Sequence, residues 1–155
     1  MKKILITLGV IISLGASAQE HSPTWHTQLG SAVDKAIAEQ KPLFLFFTGS
    51  DWCGWCKRLQ AEVFVKPEFK EWATENVVLM ELDYPRRTAQ SEELKQQNMN
   101  ILRVFGVRGY PTIWFVNPTK KETEINFGKI GSVGYVRGGA EPWIAEANKI
   151  IGSQP

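Results

Sequence analysis

A chain of 155 residues with 18 Lys plus Arg against 16 Asp plus Glu, 43% hydrophobic and 22% charged, has the size and balance of one soluble globular domain, commonly roughly 100 to 200 residues. That balance excludes a disordered or fibrous chain, and a formal net charge of +2 falls short of the concentrated basic face of a nucleic-acid binder, so no nucleic acid is expected as partner. The only cysteines, Cys53 and Cys56, are too few for the disulfide scaffold of a small secreted domain, which takes four or more.

The chain starts Met1-Lys2-Lys3, runs apolar from Ile4 to Leu14 and continues Gly15-Ala16-Ser17-Ala18. A basic start, a short apolar stretch and an A-x-A site in that order predict a signal peptide over residues 1–18, cleaved after Ala18. The run is too short for a spanning helix, which needs about 20 apolar residues. No cysteine follows it to take a lipid. Removing Lys2 and Lys3 leaves 16 basic and 16 acidic residues, so the slight basicity belongs to the export signal. The expected location is periplasmic or otherwise exported, where disulfide chemistry persists.

Residues Glu20 to Thr24 read as a frayed start. Ala32, Val33, Ala36 and Ile37 fall at helical spacing between Ser31 and Gln40, with Pro42 as the stop. Leu43 to Phe47 is a short unbroken apolar run, as in a strand covered on both faces. Thr48-Gly49-Ser50-Asp51 supplies turn residues that also cap helices, and a helix is predicted from about Cys53, with Cys56, Leu59, Gln60 and Val63 along one side. Pro67 suits a first helical turn, with Phe69, Trp72 and Ala73 as its apolar face. Val77 to Leu82 reads as a second buried strand. The polar stretch Asp83 to Asn100 contains Pro85-Arg86-Arg87 and a helix around Ser91 to Gln97. After Val104 to Val107 and Arg108-Gly109-Tyr110-Pro111 come a strand from Thr112 to Val116, a turn at Asn117-Pro118 and a further strand from Glu124 to Phe127. Glu141-Pro142-Trp143 opens a last helix, with Ile144, Ala147, Ile150 and Ile151 available to face the core. Alternating strands and helices predict one α/β domain.

Trp52-Cys53-Gly54-Trp55-Cys56-Lys57 sits where a buried strand hands over to a helix. Unpaired N–H groups and the positive dipole end at that place favour a thiolate, lowering a cysteine pKa from about 8.5 toward neutrality. Cys53 is thus the better nucleophile, and Cys56, three residues on and deeper in the first turn, can resolve a mixed disulfide. Trp52 and Trp55 offer an apolar rim for a polypeptide, or simply core packing. Three other uses of the pair remain weaker. A structural staple gains mainly by closing a long loop, and this loop is minimal. Zinc needs four ligands, and the only histidines, His21 and His26, lie near the frayed start. Copper(I) binds thiolates, but no histidine or methionine flanks the pair. No metal and no cofactor is therefore expected.

The string from Phe44 to Lys57 resembles the strand, active-site turn and helix of the thioredoxin superfamily, and Val107-Arg108-Gly109-Tyr110-Pro111-Thr112 resembles its second signature, whose proline is cis and faces the cysteines. Gly134-Tyr135, placed in the last strand region, and the helix after Pro142 are similar to its C-terminal part. The likeness covers about residues 25–152, and it is greatest to exported bacterial members with a Trp-Cys-x-x-Cys-Lys pattern. It implies a thioredoxin-like fold over residues 19–155: a single domain with a central mixed β-sheet flanked by helices. It further implies a monomeric thiol-disulfide oxidoreductase with a redox-active pair, Cys53 attacking and Cys56 resolving. Trp52, Gly54, Trp55, Tyr110 and Pro111 would bind protein substrates bearing thiols or disulfides, and a membrane or soluble redox partner would exchange electrons with the pair. Potentials in such proteins span roughly −270 to −120 mV. Gly54 after the first cysteine resembles reducing members, which points to a reductase or isomerase. The competing reading is a non-catalytic binding module that holds a polypeptide or metal. Two departures stand out. Trp55 replaces the usual proline, and Phe47 and Leu79 fall where a buried Asp and its Lys partner are usual, leaving bound water, Glu81 or Asp83 to move the proton. The stretch 83–100 reads as an insertion at the edge of the active-site face.

Overall fold

A computed structural model describes residues 22–152, and the signal sequence expected over residues 1–18 lies outside them. Among the described residues five strands form one mixed sheet in the order β1-β3-β2-β4-β5: β1 Trp25–His26, β2 Leu43–Thr48, β3 Val78–Asp83, β4 Thr112–Lys121 and β5 Glu124–Val133. β2 lies at the centre, parallel to β3 and antiparallel to β4; β1 joins β3 in parallel, and β5 runs antiparallel to β4. Five α-helices of the described chain cover the faces: α1 Leu29–Glu39, α2 Gly54–Leu59, α3 Pro67–Asn76, α4 Glu92–Phe105 and α5 Ala140–Gly152. This is the expected α/β class.

Strand side chains alternate between the two faces of a sheet, and here both faces are covered. Phe44, Phe46, Leu79, Ile113 and Phe115 pack with Cys56, Leu59, Phe69 and Trp143 from α2, α3 and α5. Leu43, Leu45, Phe47, Met80 and Leu82 pack instead against α1 and α4 through Val33, Ala36, Ile101 and Phe105. β2 reads as an unbroken apolar run because every one of its residues is buried. Trp143, fully buried, anchors the first core. Its ring lies 5.7 to 6.5 Å from those of Phe44, Phe64, Phe69, Trp72 and Phe115, and its indole N–H donates to the Gly134 carbonyl at 3.0 Å.

The structure departs from the sequence expectations at several places. α1 starts at Leu29 rather than Ser31 and ends where Gln40 takes a left-handed backbone, φ 53°, two residues before Pro42. α2 runs on into a π-helical turn over Gln60–Phe64, which no local residue pattern announces. α4 extends through Val104 to Phe105: Ser91 caps its start by accepting the Leu94 N–H, and Gly106, φ 60°, ends it. Asn117-Pro118 makes no turn. Both residues lie inside β4, opposite Gly128 and Phe127, and the chain reverses at residues 122–123, where Glu122 has φ 56°. Finally, β5 ends at Val133, so Gly134-Tyr135 follows the strand rather than belonging to it.

Candidate active site

Past Thr48 the chain turns so that the N–H groups of Trp52 and Cys53 both donate to the Gly49 carbonyl, at 3.2 and 2.8 Å. Cys53 keeps an extended backbone as the N-cap of α2, and its Sγ accepts the Cys56 N–H at 3.1 Å. The two sulfurs form a disulfide with Cα atoms 5.3 Å apart. Cys53 retains 5% exposure and Cys56 none, so only the first sulfur's residue has an edge toward solvent. Gly54 and Trp55 are exposed beside them. The Asp51 side chain, whose residue type suits a helix cap, is turned elsewhere: its carboxylate accepts the N–H groups of Arg86, Arg87 and Thr88 at 2.7 to 3.2 Å. Those N–H groups, Arg86's foremost, hold its pKa down to about 2.

Trp52 and Trp55 play different parts. Trp52 is half-buried, its Nε1 donating to the Tyr84 carbonyl at 2.8 Å and its ring meeting Tyr110 edge-on at 5.5 Å. The Arg86 guanidinium lies 3.9 Å above that ring. The indole rests on Gly49, where a Cβ would fall 2.3 Å from a ring atom, so Gly49 is required for this seat. Trp55 is 54% exposed and leans on Tyr135, 5.1 Å away, with Arg58 5.5 Å from its ring. Tyr135 and Arg58 are in turn held by the Glu62 carboxylate. One tryptophan is a fixed wall, and the other is an open apolar surface.

Tyr110-Pro111 carries a cis peptide bond, as the resemblance implied. Tyr110 joins the site through Trp52, and burial pushes its hydroxyl pKa up. Gly134 packs beside Pro111, its absent Cβ 3.4 Å from the Pro111 carbonyl.

The expectation that Phe47 and Leu79 occupy the proton-transfer positions is corrected by the register. Phe47 pairs with Leu82 and Leu79 with Phe44, and Phe46 pairs with Glu81. Phe47 points to the α1 and α4 core, on the far side of the sheet from the cysteines, whereas Phe46 shares their core. Counting six residues back from Cys53 passes through a turn whose path decides the face. Glu81, partly buried, therefore stands on the cysteine side. It lines a cavity of about 390 Å³ with Trp25, Phe46, Gln60 and Phe64. Burial raises its pKa, and the charge of Asp83 adds to this. Asp83 is engaged with the active-site turn, where its two oxygens accept the Ser50 N–H at 2.8 Å and the Ser50 hydroxyl at 2.6 Å.

Sequence reading missed Asp51, Tyr84 and Arg86 as parts of this site, because each acts across about 32 to 37 residues. The polar stretch expected as an insertion does lie against the active-site turn, through Asp83 at the end of β3 and the loop 84–91. The rest is α4, anchored by buried Asn98, whose Nδ2 donates to the Asp83 carbonyl at 3.0 Å.

Comparison with known proteins agrees with this geometry. The model of the thioredoxin-like domain matches residues 29–126. The chain is 29% identical over 120 residues to the disulfide bond reductase DsbH of Chlamydia pneumoniae, covering 77% of this chain and 68% of that protein. It is also 29% identical over 137 residues to the thioredoxin-related protein DsbJ of the same organism, covering 85% of this chain but 38% of that one. Among solved structures, a DsbH oxidoreductase superposes with a TM-score of 0.76 at 24% identity, over 95% of this chain and 96% of that one. A thioredoxin from Thermus thermophilus gives 0.59 at 16% identity, over 84% and 88%. With a family model that matches most of its length, the chain belongs to the thioredoxin-like family.

Proposed function

We propose that the protein is an exported thiol-disulfide oxidoreductase that reduces or isomerises disulfides of other proteins, working as a monomer and without a cofactor. The observation that carries this reading is the asymmetry of one disulfide: Cys53, with an exposed edge, starts the helix, and Cys56 is sealed beneath it. In the reduced protein the Cys56 N–H that now meets Cys53 Sγ would stabilise a Cys53 thiolate. That thiolate attacks one sulfur of a substrate disulfide, forming the mixed disulfide and expelling the other substrate sulfur as thiolate. Cys56, once deprotonated, attacks Cys53 Sγ, re-forming the protein disulfide and releasing the second substrate thiolate. Two electrons pass to the substrate, and the two protons of the original thiols end on its two sulfurs. Re-reduction then needs a membrane or soluble thiol partner.

Trp52, Gly54, Trp55, Tyr110 and Pro111 would form the substrate-facing surface, with exposed Gly54 and Trp55 nearest the sulfur in sequence. Glu81 is the group we assign to take the Cys56 proton, since it faces the cavity lined by Gln60, one helical turn beyond Cys56, while Asp83 is committed to Ser50. The name of the relative DsbH, a disulfide bond reductase, supports reduction over oxidation. Residues 1–18 support export, and no helix among the described residues is long and apolar enough to cross a membrane.

Dithiothreitol-driven insulin reduction tests the reading. Wild type should accelerate precipitation, and Cys53→Ser should return the rate to background. A background rate for wild type would instead favour a binding module of this fold.

A further inference from the structure

Loop 84–91 is tied to the active-site turn with unusual completeness. Its backbone N–H groups from Arg86 to Thr88 bind the Asp51 carboxylate, and the Tyr84 carbonyl takes the Trp52 indole N–H. Gln90 Nε2 reaches back to the Asp83 carbonyl at 3.1 Å. Arg86 is thereby held against Trp52, the residue preceding Cys53, and Arg87 is fixed beside it by the Asp51 carboxylate. Arg86 spends the face of its guanidinium on Trp52, which leaves for other partners the N–H donors at its planar edge, the edge that grips carboxylates in bidentate fashion. Both arginines are exposed, and among the described residues neither takes part in an ion pair. The carboxylates of Asp51 and Asp83 direct their oxygens to backbone N–H groups and to Ser50 rather than to either guanidinium, so neither takes up the arginine side-chain donors. Stacking solely to cover Trp52 would not require a second exposed arginine or a loop fixed at three N–H groups.

Building on the oxidoreductase reading, we infer that Arg86 and Arg87 form a preorganised recognition edge for acidic residues flanking the disulfide of a protein substrate. Because the guanidinium is already stacked and the loop already fixed, little ordering is left to oppose binding. Charges at such a rim act mainly on encounter and on discrimination between substrates.

The test uses two synthetic peptides of equal length and one internal disulfide, with Asp and Glu flanking the cysteines in one and Asn and Gln in the other. Their kcat/KM values are measured with the reduced full chain at low salt and at 1 M salt. The acidic peptide should be preferred about 3- to 10-fold at low salt, the range two partly exposed charge pairs allow. That preference should shrink toward unity at 1 M, where the screening length is about 3 Å. The double variant Arg86→Gln with Arg87→Gln should lose it at low salt, and Arg86→Lys should retain only part, since a point charge lacks the planar fork. Equal rates for the two peptides with wild type, or a preference that survives in the double variant, overturns the inference while leaving the oxidoreductase intact. Failure to reduce either peptide overturns both.

Discussion

Trp52→Phe separates the loop from the active-site turn with the smallest change of shape. Phenylalanine keeps an aromatic ring on Gly49 and beside Tyr110 but has no N–H for the Tyr84 carbonyl, 2.8 Å from Nε1 in the native chain. Losing that hydrogen bond costs about 1 kcal/mol, and more where the carbonyl is left without water. A smaller, less electron-rich ring under Arg86, now 3.9 Å away, gives up part of a contact worth about 0.5–1 kcal/mol at an exposed site. The sum is about 1–2 kcal/mol. Urea unfolding of the oxidised protein should register it as a midpoint lowered by about 0.5–1 M, for a slope of about 2 kcal/mol per M. A double-mutant cycle with Arg86→Gln isolates the stacking part, with an expected coupling of about 0.5 kcal/mol. A midpoint unchanged by Trp52→Phe, or zero coupling in the cycle, would show that loop 84–91 is not held to the cysteine turn through this indole.

Trp143→Ala removes the ring around which Phe44, Phe69, Trp72 and Phe115 are arranged and should cost about 3–5 kcal/mol in denaturant unfolding; a loss under about 1 kcal/mol would mean that this core collapses to fill the space. Burial raises the Glu81 pKa, so the folded chain keeps that proton to higher pH than the unfolded chain, whose value is near 4.5. The resulting stability is fully present below that pH and falls as pH rises through the folded value. Glu81→Gln should therefore match wild type near pH 4 and exceed it in stability at neutral pH, while slowing product release in the exchange reaction and altering its pH profile. Identical stability curves across that range would refute the burial argument. Asp51 has the opposite sign: held down to about 2 from 3.8, its contribution is present above the unfolded value and is lost as pH falls toward 2. Asp51→Asn should accordingly show a shallower loss of stability below pH 4 in acid titration by circular dichroism, and a curve parallel to wild type would contradict the three N–H contacts.

The sequence carries the fold where local chemistry and tertiary packing agree. Leu43 to Phe47, Pro67 at a helix start, the strand from Thr112, the helix around Pro142 and the cysteine turn all fall where the residues place them, and the cis bond before Pro111 is where the resemblance implied it. It misleads where packing overrides local preference. Asn117-Pro118 has the chemistry of a turn, but past Val116 β4 pairs with β5 and no longer with β2, so a proline meets an edge position that tolerates its missing N–H. Phe47 falls on the face opposite to the expected one because β2 is apolar from Leu43 through Phe47, leaving no polar alternation to fix its orientation. The links from Asp51 to Arg86 and from Trp52 to Tyr84 join a turn to a loop more than 30 residues away, and nothing in either segment specifies its partner.

Trapping the intermediate tests the division of labour between the two sulfurs most directly. The reduced Cys56→Ser variant, mixed with a disulfide-bonded peptide and read by intact-mass and fragment mass spectrometry, should accumulate a stable mixed disulfide on Cys53. The Cys53→Ser variant should form its adduct, on Cys56, far more slowly, because Cys56 is fully buried. Equal or faster capture by Cys56, or no adduct on Cys53, would contradict the assignment of Cys53 as attacking thiolate and the oxidoreductase mechanism built on it.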